Sequence, residues 1–358
     1  MKICFFADSE SIHTVRWCNH FHELGHEVHL ISFKEVILPN IHTHTVDSGN
    51  IREAGGNWKV LLKFRQVKKI VNQISPDIFH ALYATSYGIT GSLCGFHPYV
   101  ITALGSDILI SPKSSRIYRF LLKYAFSKTD LITVMSDQMK IETEAIGVPL
   151  EKIFTLPFGI DPTVFNANNR ELDKDRFVIT STRNFEYIYN IPHLIKAVAK
   201  VKVKIPSIKL NLIGAGSLEQ DLKDLVKQLN LEDYVTFFGK VPQLKIVEVL
   251  NHSHVFVSVS LSDGNNISLN EAMACETLCI ATNIPANTQW IQHNENGFLI
   301  AINDVNSLAE YLLEAFENYD DFQKKAIPIN KKLIEEKGIW ANNMKQMEGY
   351  YKQLTLRK

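Results

Sequence analysis

Between residues 260 and 300 the chain reads SLSDGNNISLNEAMACETLCIATNIPANTQWIQHNENGFLI. Two carboxylates, Asp263 and Glu271, bracket Gly264, Asn265, Asn266 and Ile267 in what reads as a loop opening a helix. Exposed amides at a helix N-terminus suit a phosphate or a sugar hydroxyl, and a neighbouring carboxylate accepts hydrogen bonds from sugar or ribose hydroxyls. The same residues could instead only cap the helix, with Asp263 or Ser268 paired to Glu271 in a capping box. Spacing alone weighs the two equally. A second cation-bearing segment, STRNFEYIYN at 181–190, offers Arg183 directly after a strand-like run, where a guanidinium would neutralise a phosphate or make a surface ion pair.

The 260–300 stretch resembles the E-x7-E signature of retaining glycosyltransferase family 4, with Asp263 as the first acid, Glu271 as the second, then AMA, IAT and NGFL in family order. That resemblance implies two Rossmann-like doubly wound α/β domains facing across a cleft, the GT-B architecture. It also implies transfer of a sugar from a nucleoside diphosphate to a hydroxyl, with retention and without a required metal. Asp263 would lie near the reacting sugar, the backbone of Gly264 to Ile267 at sugar and diphosphate, and Glu271 at the ribose. Asp263 is one methylene shorter than the family's glutamate. Arg183 matches the arginine of the family's R-x4-K segment, which holds the leaving diphosphate, while Ile188 stands at the lysine position with Tyr189 and Asn190 beside it.

Further matches are shorter. GAGS at 214–217 follows a strand but lacks the third glycine of a dinucleotide fingerprint. In the family it lies near the nucleotide base together with the FFGKV turn, which brings in Gly239 and Lys240; a plain turn explains those two equally well. Near the start, SESIHTVRW resembles the acceptor-side loop, with His13, Thr14 and Arg16 as its polar candidates. PDIFHALYATSYG resembles an H-x-H stretch in which His80 is kept and Leu82 replaces the second histidine; His80 reads as catalytic or as a satisfied histidine at a strand end. ALGSD resembles an H-G-x-D turn, leaving Asp107 to face the acceptor or brace the loop.

These residues need rigid elements to hold them. Short β-rich runs alternate with helical patterns from KICFFA onward, and the rhythm restarts at RFVITST, as two parallel-sheet domains require. Pro157, Gly159 and Pro162 concentrate breakers between the two series, placing a boundary near 160. The expected division is an acceptor-side domain over 1–160, a nucleotide-sugar domain over 161–339, and a closing helix over 340–358 that packs back on the first. Ligands of such domains sit at the carboxyl ends of the strands.

The 358 residues suit two cores, and 46% hydrophobic with 21% charged residues is an ordinary globular balance. Lys+Arg and Asp+Glu are equal at 38 each, which argues against a nucleic-acid partner. No metal or disulfide is expected from five cysteines without CxxC pairs, although Cys275 and Cys279 could share a helix face. The opening apolar run is too short for a leader or a membrane span, which suggests a cytoplasmic enzyme.

The run 112–128 carries five basic residues and no acid. Lys113, Arg116, Arg119 and Lys123 fall in one helical sector and Tyr118, Leu121, Leu122 and Phe126 in another. Such a helix suits anionic headgroups at the inner face of a membrane, or packs with a solvated basic face. The family resemblance, and not the residues themselves, implies a UDP-sugar donor and a glycan or lipid-linked glycan acceptor in surface polysaccharide or glycoconjugate assembly. The alternatives are a nucleotide-sugar epimerase of the same fold and a non-catalytic nucleotide-sugar-binding scaffold.

Overall fold

A computed structural model describes residues 1–35, 37–47 and 58–356, without the side chains of 58 and 59; the last two residues of the expected closing helix lie outside the described set. The chain divides into two units, one of Met1–Leu156 with Met344–Lys358 and one of Pro157–Asn343. The division starts at Pro157, the first of the three clustered breakers.

The first unit is built on a seven-stranded sheet: β1 (Lys2–Phe6), β2 (Glu27–Ser32), β3 (His42–Thr45), β4 (Ile78–Leu82), β5 (Tyr99–Thr102), β6 (Leu131–Val134) and β7 (Ile153–Thr155). Their spatial order is β3-β2-β1-β4-β5-β6-β7, and every pairing is parallel. Parallel strands are covered by crossover helices on both faces, so the central ones are apolar at nearly every position rather than alternately; β4, β5 and β6 are buried throughout. Trp17 and Phe21 of the helix Ile12–Glu23 pack on Phe5 of β1, with ring centroids 6.0 Å away in each case.

The second unit repeats the plan with β8 (Phe177–Ser181), β9 (Ile208–Ile213), β10 (Val235–Gly239), β11 (Val255–Ser258), β12 (Leu278–Thr282) and β13 (Phe298–Ile300), in the order β10-β9-β8-β11-β12-β13. These pairings too are parallel. Its core joins Leu194 and Val198 of the helix Ile191–Val201 to strand residues such as Ile179, Leu210 and Val257. The fold is therefore two Rossmann-like parallel α/β domains. In the second unit the strand order reverses between β8 and β11, which opens a crevice at their carboxyl ends.

β3 and β7 were not anticipated from sequence. β3 reads HTHT and β7 is three residues long, just ahead of the breaker cluster that begins at Pro157. Both are edge strands, which are held by one neighbour and need no apolar run. Among the described residues, no helix is long and apolar enough to cross a membrane.

Candidate functional site

Arg183 stands two residues beyond β8, and Asp263 lies in the loop beyond β11, so the reversal of strand order brings them side by side. The Arg183 Nη2 donates to Asp263 Oδ2 at 2.5 Å, and Nη1 donates to Asn266 Oδ1 at 3.0 Å and reaches Ser268 Oγ at 3.5 Å. Its guanidinium lies over the Tyr189 ring, 4.3 Å from the centroid. Arg183 is 8% exposed. A cation so far withdrawn from water requires compensation, and the carboxylate, the amide oxygen and the aromatic face supply it.

Asn266 is the hub of this corner. Its Oδ1 accepts from Leu269 N at 3.2 Å, capping the helix Ile267–Ala274. Its Nδ2 donates to Ser258 Oγ and to Asn287 Oδ1, both at 2.9 Å, and Asn287 in turn donates to the Thr282 carbonyl at 2.8 Å. The carboxyl ends of β11 and β12 are thereby tied to the helix start. The cap is Asn266 rather than the Asp263 or Ser268 of a capping box, which leaves Asp263 to pair with Arg183. Asn265 Oδ1 accepts from Trp290 Nε1 at 3.1 Å and from Gln289 Nε2 at 3.3 Å. Gly264 is buried and Ile267 half-buried. Glu271, also half-buried, is three residues after Ser268 on the same helical face.

The rest of the rim comes from β9 and β10. Gly214, at φ +150°, sits so close to the preceding loop that an added Cβ would meet the Arg183 carbonyl oxygen at 2.6 Å. Its N–H donates to the Gly239 carbonyl at 3.0 Å. Glu186 accepts from Ser217 N at 2.9 Å and from Ser217 Oγ at 2.6 Å, and these bonds hold its carboxyl below the usual range. Gly239 and exposed Lys240 thus lie on the carboxyl rim that carries Arg183. Buried polar atoms here, among them Ser181 Oγ, Thr182 Oγ1, Arg183 Nε and Asn265 Nδ2, have no hydrogen-bond partner among the described residues. Unmet groups of that kind are scarce in folded proteins and call for an explanation.

In the first unit the candidates part company. Asp107 is fully buried, and its carboxylate accepts from Ala84 N at 2.6 Å, Gly105 N at 2.8 Å and Leu104 N at 3.1 Å. Burial raises its pKa, opposed by these amide bonds. Asp107 therefore faces inward and braces the loops after β4 and β5, the second of the two roles its sequence context allowed. On those loops Tyr83 Oη and Ser106 Oγ are 2.9 Å apart at the surface, a pair that sequence reasoning missed.

His80 is a correction. It has no exposed surface; Nδ1 is 2.6 Å from Tyr351 Oη and Nε2 is 2.7 Å from Thr102 Oγ1. Burial drops its pKa to about 3, so it is neutral and fully engaged, a structural link from β4 to the closing helix rather than a group near a reacting sugar. Thr14 is likewise buried, while His13 and Arg16 are half-buried on the first turns after β1. Burial, with Arg16 adding to it, lowers the His13 pKa to about 4.

Cys275 ends the helix Ile267–Ala274 and Cys279 lies on β12, so they share no helix face; burial pushes the Cys275 thiol up to about 12 and Cys279 higher still. Among the described residues no cluster of three or more His, Cys, Asp or Glu could hold a metal. Tyr189, Asn287 and Trp290 are the second unit's overlooked contributors. The only sequence signal for Tyr189 was an aromatic beside the vacant lysine position.

Residues 2–136 match the Glycosyl transferase 4-like family and residues 165–333 match Glycosyl transferases group 1. The chain is 26% identical over 313 residues to N-acetyl-alpha-D-glucosaminyl L-malate synthase of Bacillus anthracis, covering 83% of this chain and 81% of that protein. It is 28% identical over 300 residues to the amylovoran biosynthesis glycosyltransferase AmsK of Erwinia amylovora, covering 80% and 73%. Anabaena Alr3699/HepE, solved in complex with UDP and glucose, superposes with a TM-score of 0.81 at 18% identity, covering 99% of this chain and all of that one.

Proposed function

Because the chain is a glycosyltransferase of the two-domain GT-B kind, we propose that it transfers a sugar from a UDP-sugar to a hydroxyl of a glycan or lipid-linked glycan, with retention at the anomeric carbon, in surface polysaccharide or glycoconjugate assembly. The observation that carries this reading is the buried Arg183, aimed by Asp263, Asn266 and Tyr189 at the carboxyl ends of β8 and β11. The AmsK relative, named for amylovoran biosynthesis, and the UDP and glucose in the HepE complex support the choice of pathway class and nucleotide.

In this reading Arg183 and the N-terminus of the helix Ile267–Ala274 stabilise the negative charge that builds on the departing diphosphate, and neutralise it without a metal ion. The backbone of Gly264 to Ile267 meets the sugar and the phosphate. Glu271 accepts from the ribose hydroxyls. Gly239 and Lys240 border the base, and Asp263 lies near the reacting sugar. The acceptor approaches the loops pinned by Asp107, beside His13 and Arg16, and its proton passes to the leaving phosphate as the glycosidic bond forms on the same face.

The test is a thermal-shift screen of wild type and Glu271→Ala against UDP, GDP, ADP, CMP and their sugars. A nucleotide at about 100 times its Kd stabilises the fold by roughly 2.7 kcal/mol. A shift with UDP that the variant loses supports the site. No shift with any nucleotide overturns it.

A further inference from the structure

The helix Arg116–Ser127 buries Leu122, Ala125 and Phe126 against its own unit. At 100° per residue, Ile117, Phe120 and Tyr124 form a second stripe on the side away from that core. They are 72%, 70% and 39% exposed. Single exposed apolar residues are ordinary, but a contiguous stripe of three large ones marks a contact surface. The sequence wheel had separated a basic sector from a packed one and did not reveal this third face.

Charge frames the stripe. Arg116, Arg119 and Lys123 border it on one side and Lys128 on the other, and no described carboxylate pairs with any of them. Arg119 donates to the Ala145 carbonyl at 2.6 Å, and the Lys128 ammonium lies 5.8 Å from the centroid of the Tyr124 ring. Lys113, one turn earlier, does find a partner in Glu142 at 2.6 Å. What faces solvent is an apolar centre inside a positive rim.

A second copy of the chain fits poorly, because a two-fold contact would press this basic rim on its own image. An anionic bilayer answers both features, with hydrocarbon for the stripe and phosphate for the rim. We propose that the helix Arg116–Ser127 seats the protein on an anionic membrane surface, with Ile117, Phe120 and Tyr124 entering the acyl boundary and Arg116, Arg119, Lys123 and Lys128 at the headgroups. In the crossover from β5 to β6 the helix runs back along the sheet, so its Arg116 end lies towards the carboxyl edge that carries Tyr83 and Ser106. The bilayer would thus meet the unit beside its acceptor loops. This docking is independent of the donor assignment and fails or holds separately from it.

Co-sedimentation of the full chain with vesicles tests it, comparing phosphatidylcholine alone with a phosphatidylcholine and phosphatidylglycerol mixture. Binding is expected to the mixed vesicles and to be far weaker with phosphatidylcholine alone. The double variant Ile117→Ser/Phe120→Ser, which removes the stripe and keeps every charge, should lower partitioning at least about tenfold. Arg116→Gln/Lys123→Gln should lower it by a similar factor and flatten its salt dependence. Both should keep the wild-type melting temperature and UDP response, since the altered side chains are exposed. Equal binding to both vesicle types, unchanged binding by the Ser variant, or a concentration-dependent dimer that Phe120→Ser dissolves in a protein that ignores vesicles would each overturn the proposal.

Discussion

Arg183 Nη2 and Asp263 Oδ2 stand 2.5 Å apart, joining the loop after β8 to the loop after β11. The pair is only 9% and 16% exposed at its two side chains, so each charge leans on the other. The carboxylate that aims the guanidinium also competes with any anion for it.

Removing that competition should be measurable. In Asp263→Asn the shape is kept and the negative charge beside Arg183 is lost, so UDP should bind about tenfold more tightly. Turnover should fall if Asp263 acts beside the reacting sugar as proposed. Calorimetry with UDP and initial rates with the UDP-sugar separate the two effects. Weaker UDP binding by the variant would show that the carboxylate organises Arg183 more than it competes for it.

Tyr189 orients the same guanidinium from its aromatic face. A cation over an aromatic ring is worth roughly 0.5 to 2 kcal/mol, so Tyr189→Leu should lower kcat/KM by roughly two- to thirtyfold. Tyr189→Phe keeps the ring and should behave as wild type. A phenylalanine variant as impaired as leucine would instead assign the work to the hydroxyl.

Gly214 lies where an added methyl group meets the Arg183 carbonyl oxygen, in a backbone conformation that side chains resist. We expect Gly214→Ala to fold with a melting temperature lower by several degrees and to lose most of its UDP-induced thermal shift, because the loop carrying Arg183 must move away. An unchanged UDP shift would show that the loop tolerates the displacement.

The pH dependence of stability carries a sign fixed by His80. Burial lowers its folded pKa to about 3, below its unfolded value, so the unfolded chain binds a proton that the native one refuses. Stability from this source is complete above the unfolded pKa of about 6.5 and is lost as pH falls towards the folded value, by about 1.4 kcal/mol per pH unit in that window. His13 and His254, each lowered to about 4 chiefly by burial, act in the same direction. Chemical denaturation from pH 7 to pH 5 should show this slope, and His80→Gln should reduce it by about one proton's worth. An undiminished slope in that variant would locate the uptake elsewhere.

Parts of this architecture could be read from local patterns. β1, β4, β8 and β12 announce themselves as apolar runs with turn residues after them, because strands covered on both faces must be apolar throughout. β3 and β7 do not, because an edge strand is stabilised by a neighbour distant in sequence. Arg183 and Glu271 stood out through motif spacing. Asn266 as cap, Asn287 as anchor and Tyr189 as stacking face depend on loops after β8, β11 and β12 meeting at one edge, which no local window contains. His80 shows the converse: a polar residue at a strand end looks reactive until Tyr351, 271 positions away, closes over it.

By itself, the sequence determined the two series of β and α segments, the breaker cluster between them and the acids flanking a glycine loop, since periodicity, breakers and caps act within a few residues. Only the tertiary structure decided that β8 and β11 are neighbours, that Asp263 pairs with Arg183, that Asp107 and His80 face inward, and that Ile117, Phe120 and Tyr124 face out. The physical reason is that burial and ion pairing depend on which surfaces come together. Strand order, set by contacts between segments far apart in the chain, makes that choice.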